Sequence, residues 1–328
     1  MQLRMIWYIP DEIAGEEALE RLMELGSKGQ LYRKGDLEPI AAEAVCWMEE
    51  ELQPERVLCN APLDESECGA SDSGKNNHMG YSVPEEETDY RDILLITATD
   101  RGLDFAKRRH MAAIAYANPQ YPKEKRRDAE FVVEGFEEFG MEDIERAYRR
   151  FHGLPWEILV TKRCLVREFT MADIQSLFEL YDDEEIRKFV EPLYEFDEEC
   201  DYERAYIDNI YRFYGYGMWL VFHRQTGALI GRAGLEQREF PEGSELEMGY
   251  LIAKAYRRQG YATEVCMEIL KYARDCLGAG RINCLIHKEN APSIAFAEKL
   301  GFSHYGEMET GKAVMLRFVA NDDTDLPA

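Results

Sequence analysis

The densest chemistry in the chain lies between Glu247 and Thr263. A strand pattern there runs into Arg257-x-x-Gly260-x-Ala262, and a helical pattern starts at once. Small residues let a ligand approach the backbone closely. The first N–H groups of a helix point outward with the positive end of its dipole behind them, which suits an anion. A pyrophosphate fits such a loop, and Arg257 and Arg258 add positive charge. On spacing alone, a tight strand-to-helix turn explains the same residues. Within the strand, alternation puts Glu245 and Glu247 on one face, opposite Tyr250. Two neighbouring carboxylates raise each other's pKa and attract a cation; two solvated strand residues would look alike. Tyr250 is expected in the core.

A second concentration lies between Asp182 and Tyr216. It combines Phe189, Tyr194, Tyr211, Tyr214 and Tyr216 with the acidic run Glu195 to Asp201. Acidic and aromatic groups together suit a cationic ligand; a solvated helix face over core aromatics is the competing explanation. No metal site is expected, because the six histidines are scattered and no C-x-x-C pair occurs. The cysteines (Cys46, Cys59, Cys68, Cys164, Cys200, Cys266, Cys276, Cys284) read as free thiols of a reducing cytoplasm. With 39 basic and 64 acidic residues the net charge is −25. That argues against sequence-independent nucleic-acid binding, which needs cations to displace counterions. It is compatible with an amine substrate and equally with plain solubility. No run of ~18 apolar residues predicts a membrane span, and Met1 to Pro10 does not read as a signal peptide.

These residues need elements to hold them. A length of 328 residues suggests two domains. Helical patterns are predicted at Glu16–Leu25 and Ile40–Leu52, then a strand at Arg56–Cys59 and a long loop over 60–90. Strands at Ile93–Thr97, Ala112–Ala117 and Glu130–Val133 alternate with helices at Arg101–Arg109 and Met141–Phe151, which implies an α/β lobe. After His152-Gly-Leu-Pro155, a second domain opens near Thr161. It has strands at Cys164–Arg167, Met218–Phe222, Leu229–Leu235, Glu245–Ile252, Ile282–His287 and Val314–Val319. Its helices follow Asp173, span Ala262–Leu277 with Val265, Ile269, Tyr272, Ala273 and Cys276 on one stripe, and span Ser293–Leu300.

Asn290-x-x-Ser293 and Glu298-Lys-Leu-Gly-Phe302 follow the Arg257–Ala262 loop. In this order and separation the chain resembles the GNAT (GCN5-related) N-acetyltransferases over roughly Cys164 to Ala320. Trp219 and Ile230-Gly-Arg-Ala-Gly-Leu235 look like the branch that includes ribosomal-protein N-terminal acetyltransferases. The resemblance implies a mixed sheet flanked by helices and acetyl-CoA as cosubstrate. It implies pantetheine pairing with the backbone of Leu251, Ile252 and Ala253, pyrophosphate on the amides of Gln259, Gly260, Tyr261, Ala262 and Thr263, and Asn290 and Ser293 beside the arm near the thiol. The strand before the loop usually carries a bulge that opens the cleft. The acceptor would be a primary amine, either a small molecule or a peptide N-terminus. An alkyl amine with a pKa near ~10 must lose a proton; Glu247 is the first base candidate and Glu245 the second. Many relatives place a tyrosine where this chain has Ala297. Either the thiolate leaves unassisted, or another tyrosine such as Tyr305 serves.

The segments Ile93–Tyr116 and Asp128–Glu138 resemble part of the HAD phosphatase-like fold, over about Val57 to Phe151. Ala98 replaces the loop's metal-binding Asp, and no D-x-D-x-[TV] motif occurs in residues 1–90. A phosphoaspartate mechanism needs both, so a degenerate, non-catalytic lobe is implied; metal binding through Asp100 and Asp104 stays open. The expected organisation is a helical segment 1–56, a partial Rossmann or HAD-like lobe 57–160, a GNAT domain 161–320 and a tail 321–328. The expected function is acetyl transfer from acetyl-CoA to an amine by direct attack, in the cytoplasm, with a homodimer allowed. The alternative is a sensor that holds acetyl-CoA or a partner without turnover.

Overall fold

The computed structural model describes Leu3 and residues 5–8, 90–126, 129, 131–136, 139–311 and 313–321. The helical patterns within 16–52, the strand Arg56–Cys59, the loop up to residue 89 and the tail from 322 lie outside the described residues, as do Asp128 and Glu130. The chain divides into two compact units, Met1–Leu154 and Pro155–Ala328.

The first unit holds a parallel sheet of β1 (Met5–Tyr8), β2 (Ile93–Thr97), β3 (Ala112–Tyr116) and β4 (Val132–Val133), in that order. Strand β1 lies in the segment the sequence pattern reads as helical. The short apolar run Met-Ile-Trp-Tyr serves either element, and length alone favours a strand. All five residues of β2 are buried, as a strand covered on both faces requires. Helix α1 (Asp100–Arg108) starts on Thr99, whose hydroxyl accepts from the Gly102 amide at 3.1 Å. A Cβ on Gly102 would lie 2.0 Å from Thr97 Oγ1, so this strand-to-helix turn requires glycine. The periodicity of helix α2 (Met141–Phe151) puts Ile144, Ala147, Tyr148 and Phe151 on one face; the first three are buried and Phe151 is partly so. Asp100 accepts from the amides of Lys125 and Arg126 at 3.1 and 2.7 Å, bonds that hold its carboxyl below the usual range.

The second unit is an eight-stranded sheet: β5 (Glu157–Val160), β6 (Cys164–Arg167), β7 (Met218–His223), β8 (Leu229–Phe240), β9 (Gly243–Ile252), β10 (Arg281–His287), β11 (Ser303–Thr310) and β12 (Ala313–Asn321). Its order is β11-β12-β10-β9-β8-β7-β6-β5. Every neighbouring pair is antiparallel except β9 and β10. Strands β8 and β9 form one long hairpin from Phe240↔Gly243 to Gly231↔Ile252 without a register shift, so β9 carries no bulge against β8. Helix α3 (Ile174–Tyr181) follows Asp173, then α4 (Glu184–Arg187) and α5 (Phe196–Tyr206), which runs on through a π turn at Ile207–Tyr211. Helix α6 (Tyr261–Asp275) crosses from β9 to β10, and α7 (Ala291–Lys299) follows β10. The crossover buries Val265, Cys266, Ile269, Leu270 and Ala273 at 3.6 periodicity. Cys276, expected on that stripe, is exposed at the helix end, and Cys266 takes the buried place.

Candidate active site

The parallel pair creates the site. Strands β9 and β10 share only two register positions, Ile282↔Leu246 and Asn283↔Glu247. Beyond Glu247, β9 runs on to Ile252 with its far edge open. The amide of Ala253 donates to Ile230 of β8 at 2.8 Å. Strand amides alternate in direction, so Leu251, like Ala253, turns its backbone to β8, whereas Tyr250 and Ile252 turn theirs to the open edge. Of the three residues expected to pair with a pantetheine arm, Ile252 alone offers its amide; Tyr250, unforeseen, offers a second.

A cleft of about 750 Å³ follows this edge to the start of α6, within the usual range for small-molecule sites. It is lined by Leu251, Ile252, Arg257, Arg258, Gly260, Tyr261, Ala262, Thr263, Asn290 and Ser293, ten of the twelve binding residues expected from the sequence. Ala253 and Gln259 are not in the lining. The Gln259 carbonyl instead accepts from Arg163 at 2.9 Å. Gly260, the residue before α6, sits at φ +83°, and Arg258 at φ +58°. The left-handed turn brings the start of α6, Tyr261 to Thr263, to the cleft wall, where Arg258, Lys188 and Lys299 add positive charge. Asn290 caps α7 by accepting from the Ser293 amide at 3.2 Å.

Arg257 has a different partner from the one its motif suggested. Its guanidinium donates to Asp183 at 2.6 Å and to Glu185, and its Nε to the Ile252 carbonyl at 2.8 Å. It therefore ties the loop to α4 more than it charges the cleft. Beneath the loop, Arg163 donates to Glu264 at 2.6 Å and stacks on Tyr261 at 4.1 Å. None of Asp183, Glu185, Arg163 or Glu264 carries a local sequence signal.

Glu247 and Glu245 both lie outside the cleft lining, and the structure separates their roles. Glu245 accepts from Asn283 at 2.8 Å and pairs with Arg317 and Arg281 at 3.1 and 3.4 Å. This network joins β9, β10 and β12 and commits Glu245 to holding the sheet. Glu247 stands where β9 and β10 part. It pairs with Arg238 of β8 and accepts from the Leu285 amide of β10. Burial pushes its carboxyl above the usual range; Arg238 opposes the shift and nearby Glu236 reinforces it. Glu236 lies directly across from Glu247 on β8 and accepts from the Tyr206 hydroxyl at 3.0 Å.

Residues 163–303 match the family model of the acetyltransferase (GNAT) domain. The uncharacterized N-acetyltransferase YnaD of Bacillus subtilis is 30% identical over 153 residues, which cover 45% of this chain and 84% of that protein. The chain belongs to the GNAT family of acyltransferases. It spans about half of another relative, the uncharacterized protein YkkB of B. subtilis: 31% identity over 94 residues, 29% of this chain and 54% of that one. A putative GNAT-family acetyltransferase from Bordetella pertussis has a solved structure at 23% identity and TM-score 0.44, covering 50% of this chain and 99% of that one.

The structure places two tyrosines singled out from the sequence of this GNAT domain. Tyr250 packs against the core, as expected, but is only half-buried and also lines the cleft, because the gap between β9 and β10 opens its face to α7. Tyr305 lies outside the cleft lining, with its hydroxyl on Glu242 at 3.3 Å and its ring against Arg281 and Arg317. Of the aromatics between Asp182 and Tyr216, Phe189 lines the cleft, whereas Tyr211 is fully buried and donates to the Met218 carbonyl.

Proposed function

We propose that the GNAT domain transfers the acetyl group of acetyl-CoA to a primary amine, either a small molecule or a peptide N-terminus. The observation that carries this is the parting of β9 from β10 at Glu247, which opens one strand edge between a carboxylate and the start of α6. The residues fit the donor. The open backbone of Tyr250 and the amide of Ile252, whose carbonyl Arg257 occupies, suit an amide-bearing arm, and the α6 amides with Arg258 and Lys299 suit phosphates. Bound acetyl-CoA supplies an acyl group on a good leaving thiol. Glu247 takes the ammonium proton, directly or through water, and its raised pKa brings it nearer the working pH.

The branch suggested by the resemblance of Trp219 and the β8 run Ile230–Leu235 is that of ribosomal-protein N-terminal acetyltransferases, although Trp219 itself is buried in the core, edge-on to Tyr272. Free thiols at all five described cysteines fit a cytoplasmic setting. In the first unit, the buried Ala98 and the Asp100 carboxylate, taken up by the Lys125 and Arg126 amides, argue against phosphatase chemistry.

Calorimetry with acetyl-CoA tests the donor site. Gly260→Glu would place a carboxylate against the pyrophosphate and should abolish binding. The φ of +83° disfavours any side chain there, so Gly260→Asn, which tolerates the left-handed region, serves as control and should bind far better. Equal loss in both would move the pyrophosphate elsewhere. A screen of amines and peptide N-termini, read by release of free thiol, tests the transfer.

A further inference from the structure

Breaking an acyl–sulfur bond leaves charge on sulfur inside a half-enclosed cleft, and no hydroxyl stands at position 297: Ala297 is fully buried. Three tyrosines line the cleft, Tyr250, Tyr256 and Tyr261. Tyr256 and Tyr261 meet at 5.7 Å and both pack on His223, at the loop end. Tyr250 stands at the α7 end. Its hydroxyl donates to the Ser293 carbonyl at 3.2 Å, in the first turn of α7, and its ring meets Phe296 edge-on at 4.8 Å. Its own backbone amide faces the same open edge of β9 that would hold the pantetheine arm.

Resting on the acetyl-CoA assignment, we propose that Tyr250 is a catalytic residue whose hydroxyl turns from the Ser293 carbonyl to the thioester sulfur and stabilises the departing thiolate by a hydrogen bond. The amine nitrogen forms a bond to the acetyl carbon, the carbon–sulfur bond breaks, and its electron pair stays on sulfur. The proton leaves the nitrogen for Glu247. Tyr250 keeps its own proton throughout. Burial holds the phenol well above its ordinary value, far above a thiol near ~8.5, so transfer to sulfur would run uphill while donation of a hydrogen bond does not. The device is a fixed donor aimed at developing charge.

The thiol pKa of bound CoA reads this donor without any acceptor or turnover. The full chain is titrated with CoA bound and the thiolate followed by its ultraviolet absorbance, in the parent, Tyr250→Phe and Ser293→Ala. A donor to the thiolate lowers the thiol pKa, so Tyr250→Phe should raise it by about one to two pK units, the ten- to hundredfold that a hydrogen bond to a charged group is worth. CoA affinity in Tyr250→Phe should stay within about threefold of the parent, showing an intact site. With CoA bound to both proteins, an unchanged thiol pKa overturns the assignment, and a shift in Ser293→Ala alone gives the role to Ser293. Failure of the parent to bind CoA at all overturns the donor-site assignment, and Tyr250's role with it.

Discussion

Glu247 and Arg238 form a pair in which each side chain sets the other's usefulness. Glu247→Gln keeps the shape and removes the proposed base, so kcat at neutral pH should fall ~10²–10⁴-fold with acetyl-CoA affinity nearly unchanged. The loss should shrink as pH rises and more amine is already deprotonated; a pH-independent loss would indicate positioning. Arg238 holds the Glu247 carboxyl down against burial and Glu236. Arg238→Leu should therefore raise the Glu247 pKa further and move the acidic limb of the pH–rate profile to higher pH. A limb that stays in place in the variant would assign that limb to another group. The base candidate was legible because strand alternation put Glu247 on a definite face next to a phosphate-type loop. Its separation from Glu245 was not, because Asn283, Arg281 and Arg317, which claim Glu245, lie 36 to 72 residues away in the chain.

At the scale of elements, the phosphate-type loop is held from outside itself. Arg163 reaches from the β5–β6 turn to the Gln259 carbonyl, Glu264 and the Tyr261 ring. Arg163→Ala should weaken acetyl-CoA binding about tenfold in calorimetry, the loss of a charge-assisted bond transmitted through the loop. Unchanged affinity would mean the loop holds its shape unaided. A similar clamp starts α3: Asp173 pairs with Arg167 at 2.7 Å and accepts from the Thr170 amide at 2.9 Å. Burial works against its charge, but these bonds outweigh it and leave the carboxyl below its ordinary range. Its stabilising effect is thus complete above the unfolded aspartate pKa and fades as pH falls through the lower folded value. Asp173→Asn should cost about 2 kcal/mol near neutral pH in denaturant unfolding, and the deficit should narrow in acid. Periodicity revealed α2, α6 and several strands of the second unit because each buries one regular face, whereas β2 was legible as a continuous apolar run. It missed β11, Ser-His-Tyr-Gly-Glu-Met-Glu-Thr, an edge strand whose polar residues satisfy solvent on both sides, and β5, four residues at the opposite edge.

For the whole molecule, the second unit carries its own core and every residue lining the cleft. Residues 155–328 expressed alone should fold cooperatively and bind acetyl-CoA within a few-fold of the full chain. A fragment that unfolds or loses the ligand would show that the first unit completes the second. The acidic balance of the chain did not foretell a cleft with Lys188, Arg258 and Lys299 in its wall. Net charge describes the average surface, whereas a phosphate-type site needs only a few cations gathered by the fold.

The short meeting of β9 and β10 has a signature in deuterium exchange. Leu251 and Ala253 are locked onto β8, while Tyr250 and Ile252, their immediate neighbours in sequence, face the gap. Four consecutive amides in one strand should therefore trade hydrogen for deuterium alternately fast and slow. A ligand laid along the gap as a substitute strand would slow the fast pair alone, turning a sawtooth into a plateau.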